Sequence, residues 1–145
     1  ASRLLVSGAF DCLSQFGALV TNGQEELASL AYLVTMEFVS HNGAHIEAVG
    51  KTYHDALRQL AARHPALCSG VEGDGHMSAL CFHQVPDAAA FAARMNREFC
   101  VDISAQTYKA NCRPVALTKL PLLVTEPMVG KLIAWMEQCL SEMEG

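Results

Sequence analysis

No two cysteines in this chain are close enough to hold a metal or to cycle as a redox pair. The six of them (Cys12, Cys68, Cys81, Cys100, Cys112, Cys139) are scattered, without the Cys-x-x-Cys spacing that zinc sites and dithiol motifs need. Most sit inside apolar runs, where a free thiol behaves as a small hydrophobe. They read as reduced and structural, which points to a cytoplasmic protein. Basic clusters are missing too: 10 Lys and Arg stand against 15 Asp and Glu, for a net charge of -5. That balance argues against nucleic acid and anionic membranes as partners. No apolar run reaches spanning length, since Glu37 interrupts the longest candidate. The apolar part of Ala1-Ser2-Arg3-Leu4-Leu5-Val6 is too short for a signal peptide. The start without an initiator Met reads as a piece cut from a longer protein.

Present in excess is apolar character, 51% of residues with a mean hydropathy of +0.19. In one domain of 145 residues, this implies an Ala-heavy core, apolar surface kept for a partner, or both. The run that organises the rest is Thr21-Asn22-Gly23-Gln24-Glu25-Glu26-Leu27, a polar turn leading into the most apolar helical stretch, Leu27 to Val39. Asn and Gly favour the turn, and two Glu in the first helical turn suit the positive end of the helix dipole. Thr21 and Asn22 therefore read in two ways, as a helix cap or as an anion site at a helix N-terminus.

Along the chain, Leu5, Ala9, Leu13, Phe16 and Val20 show a rough helical spacing broken by Gly8 and Gly17. Residues 24–40 form a helix apolar on nearly every side, hence a buried one, covered by a neighbouring domain or subunit. Gly43 is suited to end it in an αL cap. A second helix over 45–63 carries the stripe Ile46, Val49, Tyr53, Leu57 and Leu60, and closes at His64-Pro65. Gly70 to Gly75 reads as a tight turn before a strand over 76–85. A phosphate loop would place its glycines after a strand and open a helix, so that reading fails. Asp87 is suited to cap a helix to Phe99, Val101 to Ser104 alternates as a strand, and Tyr108 to Pro114 is a loop. Val115 to Lys119 is a strand. Thr125-Glu126-Pro127 opens a last helix with the stripe Val129, Leu132, Ile133, Met136 and Leu140. The order predicts an α+β fold, a small mainly antiparallel sheet covered by helices and preceded by a long buried helix.

No set of residues completes a catalytic or metal site. His41 and His45 are four apart, but Gly43 breaks the shared face; His76 and His83 fall on opposite faces of their strand. No Ser or Cys has the surroundings of a nucleophile elbow.

With these segments in order, the chain resembles the C-terminal part of class III aminotransferases, the ornithine and ω-amino-acid group of pyridoxal-phosphate enzymes. Thr21 to Leu27 is similar to the family's Thr-bearing turn into a long buried helix. The family usually has an aromatic residue and a Pro where Asn22 and Glu25 or Glu26 stand. Val71-Glu72-Gly73-Asp74-Gly75-His76-Met77 is similar to the approach to the small-domain sheet. Val115 to Leu122, then Thr125-Glu126, are similar to the last strand and terminal helix. The resemblance implies that residues 1–20 are a remnant of the large cofactor domain and 21–145 the small domain. It implies that Thr21, with Asn22, meets the phosphate of pyridoxal phosphate across a homodimer, and that the small domain shapes the mouth for an amine or keto substrate. It also implies that the missing large domain and dimer partner cover the apolar helix.

Two departures stand out. The family's Schiff-base lysine lies upstream of the phosphate Thr, whereas Lys51, Lys109, Lys119 and Lys131 all follow Thr21. Leu117 occupies the place where many members carry an Arg for the substrate carboxylate, with Arg113 on the loop as the alternative. The expectation is therefore a fragment without catalytic residues of its own, inactive alone. A free-standing α+β ligand-binding or dimerisation module and a catalytically dead relative in a larger assembly remain alternatives.

Overall fold

The computed structural model describes residues 26–106 and 113–145. The readings at Leu5 to Val20, Thr21, Asn22, Gly23, Cys12, Lys109 and Cys112 lie outside the described residues. Seven elements follow in order: α1 (Glu26–Arg63), β1 (Cys68–Asp74), β2 (Met77–Phe82), α2 (Val85–Phe99), β3 (Ser104–Gln106), β4 (Val115–Leu117) and α3 (Glu126–Glu144). The strands form one antiparallel sheet in the order β1-β2-β4-β3. The α+β architecture with a small antiparallel sheet is as the sequence predicts.

Several boundaries differ, each for a physical reason. The span labelled α1 is two helices that meet at a kink, as expected near Gly43, with the non-helical backbone at Asn42 (φ -118°, ψ 17°). Gly43 is not in the left-handed region, so it caps nothing. Instead the Asn42 side-chain amide donates to the Phe38 carbonyl at 2.8 Å, on the last turn before the non-helical residue. Of the three glycines read as a turn, Gly70 and Gly73 belong to β1. Gly70 (φ +143°) and Gly73 (φ +87°) supply backbone that other residues rarely adopt, and the register slips between Cys68 and Gly70. At Gly73 a Cβ would fall 2.1 Å from the Met77 carbonyl oxygen. The turn itself is Gly75-His76, joining Asp74 to Met77.

Helix α2 starts at Val85 after Gln84, which places Asp87 in the first turn rather than at the cap. Here the dipole, not a side-chain cap, favours the carboxylate. Val101 to Ile103 lie outside the sheet, and only Ser104 onwards pairs with β4. Thr125 is the N-cap of α3, but its hydroxyl makes no capping hydrogen bond. His76 is in the turn and His83 beyond β2, so neither is a strand residue.

By its internal contacts the chain divides into two units, 1–42 and 43–145. In the first, α1 leaves Leu27, Leu30, Leu33, Val34 and Met36 exposed, Leu27 to 79%. The second holds the core. There α1 contributes Val49, Tyr53, Leu57 and Leu60, the sheet Leu80, Phe82 and Ala116, α2 Phe91 and Met95, and α3 Val129, Met136 and Leu140. Ile133, expected in the α3 stripe, is only partly buried, and Cys139 takes the inner position. At the end of α1, the His64 ring is wedged between two α3 carboxylates. Its Nδ1 lies 2.9 Å from Glu144 and its Nε2 3.0 Å from Glu137, which the Arg63 guanidinium also holds.

Candidate functional site

The two residues singled out for a ligand, Thr21 and Asn22, are outside the described residues, so the site is built from what unit 43–145 brings together. Its chemistry gathers where α1 meets the β1–β2 hairpin. The close approach begins at Gly50, where a Cβ would come 2.9 Å from the His76 ring and 3.1 Å from the Gly75 Cα. His76 Nε2 donates to the Ile46 carbonyl at 2.9 Å, which fixes the proton there and leaves its buried Nδ1 without a partner. One turn along α1, His54 Nδ1 lies 2.9 Å from the Ser78 hydroxyl. That hydroxyl donates to the Gly75 carbonyl at 2.9 Å, so it accepts from His54, and the imidazole carries its proton on Nδ1. His54 thus offers a second nitrogen, Nε2, with no partner among the described residues.

Two cavities flank His54. One of about 380 Å³ is lined by Ile46, Glu47, Gly50, Lys51, Asp74 and His76. The other, about 600 Å³, runs past Arg58, Ala61, Ala62 and Pro65 to the strand residues Cys68 to Val71. Lys51 is taken by Asp55 at 2.5 Å, and this hydrogen bond holds the Asp55 carboxyl below its usual range. Arg113 pairs with Glu72 at 3.5 Å rather than standing free for a substrate carboxylate. Leu117 ends β4, half-buried, and the buried Thr118 follows it. Thr118 faces the phenol of Tyr53 without a hydrogen bond of good geometry, and burial pushes that phenol well above its ordinary range. Burial likewise pushes Cys68 up to about 12 and Cys139 up to about 11, as inert interior thiols behave. Cys100, with φ +55°, is exposed. Among the described residues no group of His, Cys, Asp and Glu is arranged to hold a metal, and no helix is long and apolar enough to cross a membrane.

Sequence reading missed His54 and Ser78 altogether. They stand 24 positions apart on different elements, and only the turn of the hairpin brings them together.

No family model matches this chain, and no curated protein matches it in sequence. Solved structures do. A Bacillus anthracis aminotransferase superposes with a TM-score of 0.66 at 13% identity, over 76% of this chain and 27% of that one. An acetylornithine aminotransferase from Elizabethkingia anophelis gives 0.63 at 18% identity, over 85% and 33%. The lysine aminotransferase of M. tuberculosis gives 0.60 at 22% identity, over 74% and 24%. The fold is one that aminotransferases contain. The chain spans about a quarter to a third of the length of these proteins. At such identities the likeness is one of fold.

Proposed function

We propose that this chain is the C-terminal small domain of a pyridoxal-phosphate-dependent class III aminotransferase. In this reading residues 1–20 are the remainder of a large cofactor domain and 21–145 the small domain. The Thr21 hydroxyl, with Asn22, binds the cofactor phosphate across a cytoplasmic homodimer. One observation carries the reading: a fold resembling that of aminotransferases underlies segments that resemble the same family in the same order.

The described residues do not fit the cofactor by themselves. Lys51 is held by Asp55, the Lys131 ammonium lies 4.8 Å above the Trp135 ring, and Lys119 is exposed. None is desolvated beside a cavity with the neighbours that activate a Schiff-base lysine. A longer parent protein supplies that lysine, and the isolated chain is inactive. The exposed apolar face of α1, from Leu27 to Met36, then packs on the large domain and the dimer partner, which removes a patch that water disfavours. The small domain shapes the mouth for an amine or keto substrate.

A second reading is a free-standing ligand-binding or dimerisation module. The observation in its favour is that unit 43–145 has a core of its own.

The mass of the native gene product separates the two, and cofactor titration of the full-length parent dimer tests the role of Thr21. Thr21→Ala removes a charge-assisted hydrogen bond worth about 1.5–3 kcal/mol. The dissociation constant for pyridoxal phosphate should rise by roughly one to two orders of magnitude, and Thr21→Ser should restore most of it. If Thr21 only caps a helix, the Ala variant loses about 1 kcal/mol of stability and binds the cofactor as wild type does.

A further inference from the structure

The larger cavity touches Cys68, Ser69, Gly70 and Val71, four residues in a row. Side chains along a strand alternate between faces, so a cavity that meets consecutive residues runs along the strand's backbone edge. In the sheet order, that edge of β1 is the free one. It presents unpaired peptide N–H and C=O groups, a template for another strand. The facing wall is α1, whose small Ala61 and Ala62 leave the width open. The bulge at Ser69 spoils the start of the edge, leaving Gly70 to Asp74 as the stretch able to pair, roughly 16 Å at strand rise. The volume of about 600 Å³ is within the range of real ligand sites.

The charge of the groove says what kind of chain fits. Its lining holds Arg58 and His54 and no carboxylate, in a protein with net charge -5; of the two carboxylates on the pairing stretch, Glu72 is held by Arg113 and Asp74 lines the other cavity. Arg58 is exposed and has no hydrogen bond or ion pair among the described residues. His54 turns its Nδ1 to Ser78, which leaves Nε2 as its free atom.

We infer that the groove between α1 and β1 binds an extended acidic peptide, which adds as a fifth strand beside β1 and sets a carboxylate against Arg58. Main-chain hydrogen bonds provide affinity, and the Arg58–carboxylate contact provides selectivity. The inference does not depend on the aminotransferase reading, since every residue it uses is in unit 43–145.

The test is fluorescence polarisation of the 145-residue chain with three labelled hexapeptides. One alternates valine and aspartate, one alternates valine and lysine, and one is the acidic peptide N-methylated at alternate nitrogens, made in both registers. The acidic peptide should bind saturably. The lysine peptide, and at least one N-methylated register, should bind at least about tenfold more weakly, as should the acidic peptide to Arg58→Glu. Amide NMR shifts should fall on Ser69 to Asp74. The proposal is overturned if the acidic peptide does not saturate at millimolar concentration. It is overturned equally if both N-methylated registers bind as well as the parent peptide, which would mean charge capture alone. Shifts confined to Leu27 to Met36 would also overturn it, by moving the site to the apolar face of α1.

Discussion

Replacing His64 with leucine tests whether the end of α1 is held to α3 by charge. The ring is 4% exposed, and each nitrogen meets a carboxylate oxygen, at 2.9 Å from Glu144 and 3.0 Å from Glu137. Leucine fills a similar volume but donates nothing, so the ring's hydrogen bonds, one from a neutral imidazole and two from an imidazolium, disappear with little cavity. A hydrogen bond to a charged group contributes about 1.5–3 kcal/mol. Two of them set an upper bound of about 6 kcal/mol. The loss is smaller because both carboxylates are about one-third exposed and recover some hydration, and because Glu137 keeps Arg63. The expected cost is therefore about 2–4 kcal/mol. For a chain of this length, an unfolding entropy of about 0.3 kcal/mol per kelvin makes that a drop of about 7–13 °C in melting temperature. Calorimetry at pH 7 reads it directly. Glu144→Gln, which removes one charged partner, should cost less than half as much. A His64→Leu midpoint within about 2 °C of wild type would refute the argument, because the clamp would then contribute nothing net.

The hydrogen bond from Arg63 holds the Glu137 carboxyl below its ordinary value of 4.5, against the opposing effect of burial. A carboxyl lowered in the folded state stabilises above its unfolded value and loses that contribution as pH falls through the folded one. Urea midpoints should thus drop below pH 4.5 in wild type and drop less steeply in Glu137→Gln; parallel curves would contradict this. Gly50→Ala should cost about 1–3 kcal/mol by overpacking against the hairpin turn, while Gly43→Ala, which meets only open space, should be neutral or stabilising. Iodoacetamide at pH 8 followed by peptide mapping should label Cys100 in the folded protein and spare Cys68, Cys81 and Cys139, since burial raises all three. Early labelling of Cys68 would show that the interior around β1 opens easily.

Helices α2 and α3 were legible in the sequence because their apolar residues recur at helical spacing, and α3 also because Pro127 stands in its first turn. Strand β1 was not legible. Its two glycines, with Gly75 after them, read as a turn, and only tertiary pairing with β2 holds such weak strand formers extended. The break between the first two helices was anticipated within one residue; what the sequence hid is that Asn42, not a left-handed Gly43, carries the non-helical backbone. The candidate site was less legible still. His54, Ser78 and His76 belong to separate elements, and no spacing rule joins them. Thr21 and Asn22 stand on the family resemblance.

The strand order also sets a schedule for folding. The β1–β2 hairpin is local and can close within about 1–10 μs. Its inner strand, Met77–Phe82, has five of six residues buried in the final fold. The neighbour that completes β2, Val115–Leu117, leaves the ribosome only after all of α2 and β3. Until then Ala79, Leu80 and Cys81 present an apolar, open edge of the kind that recruits strands from other molecules. Helix α2, which packs on β2, β3 and β4, is already synthesised in that interval. Its early docking shields the nascent hairpin, so a variant that weakens α2 should first appear as insoluble protein during expression.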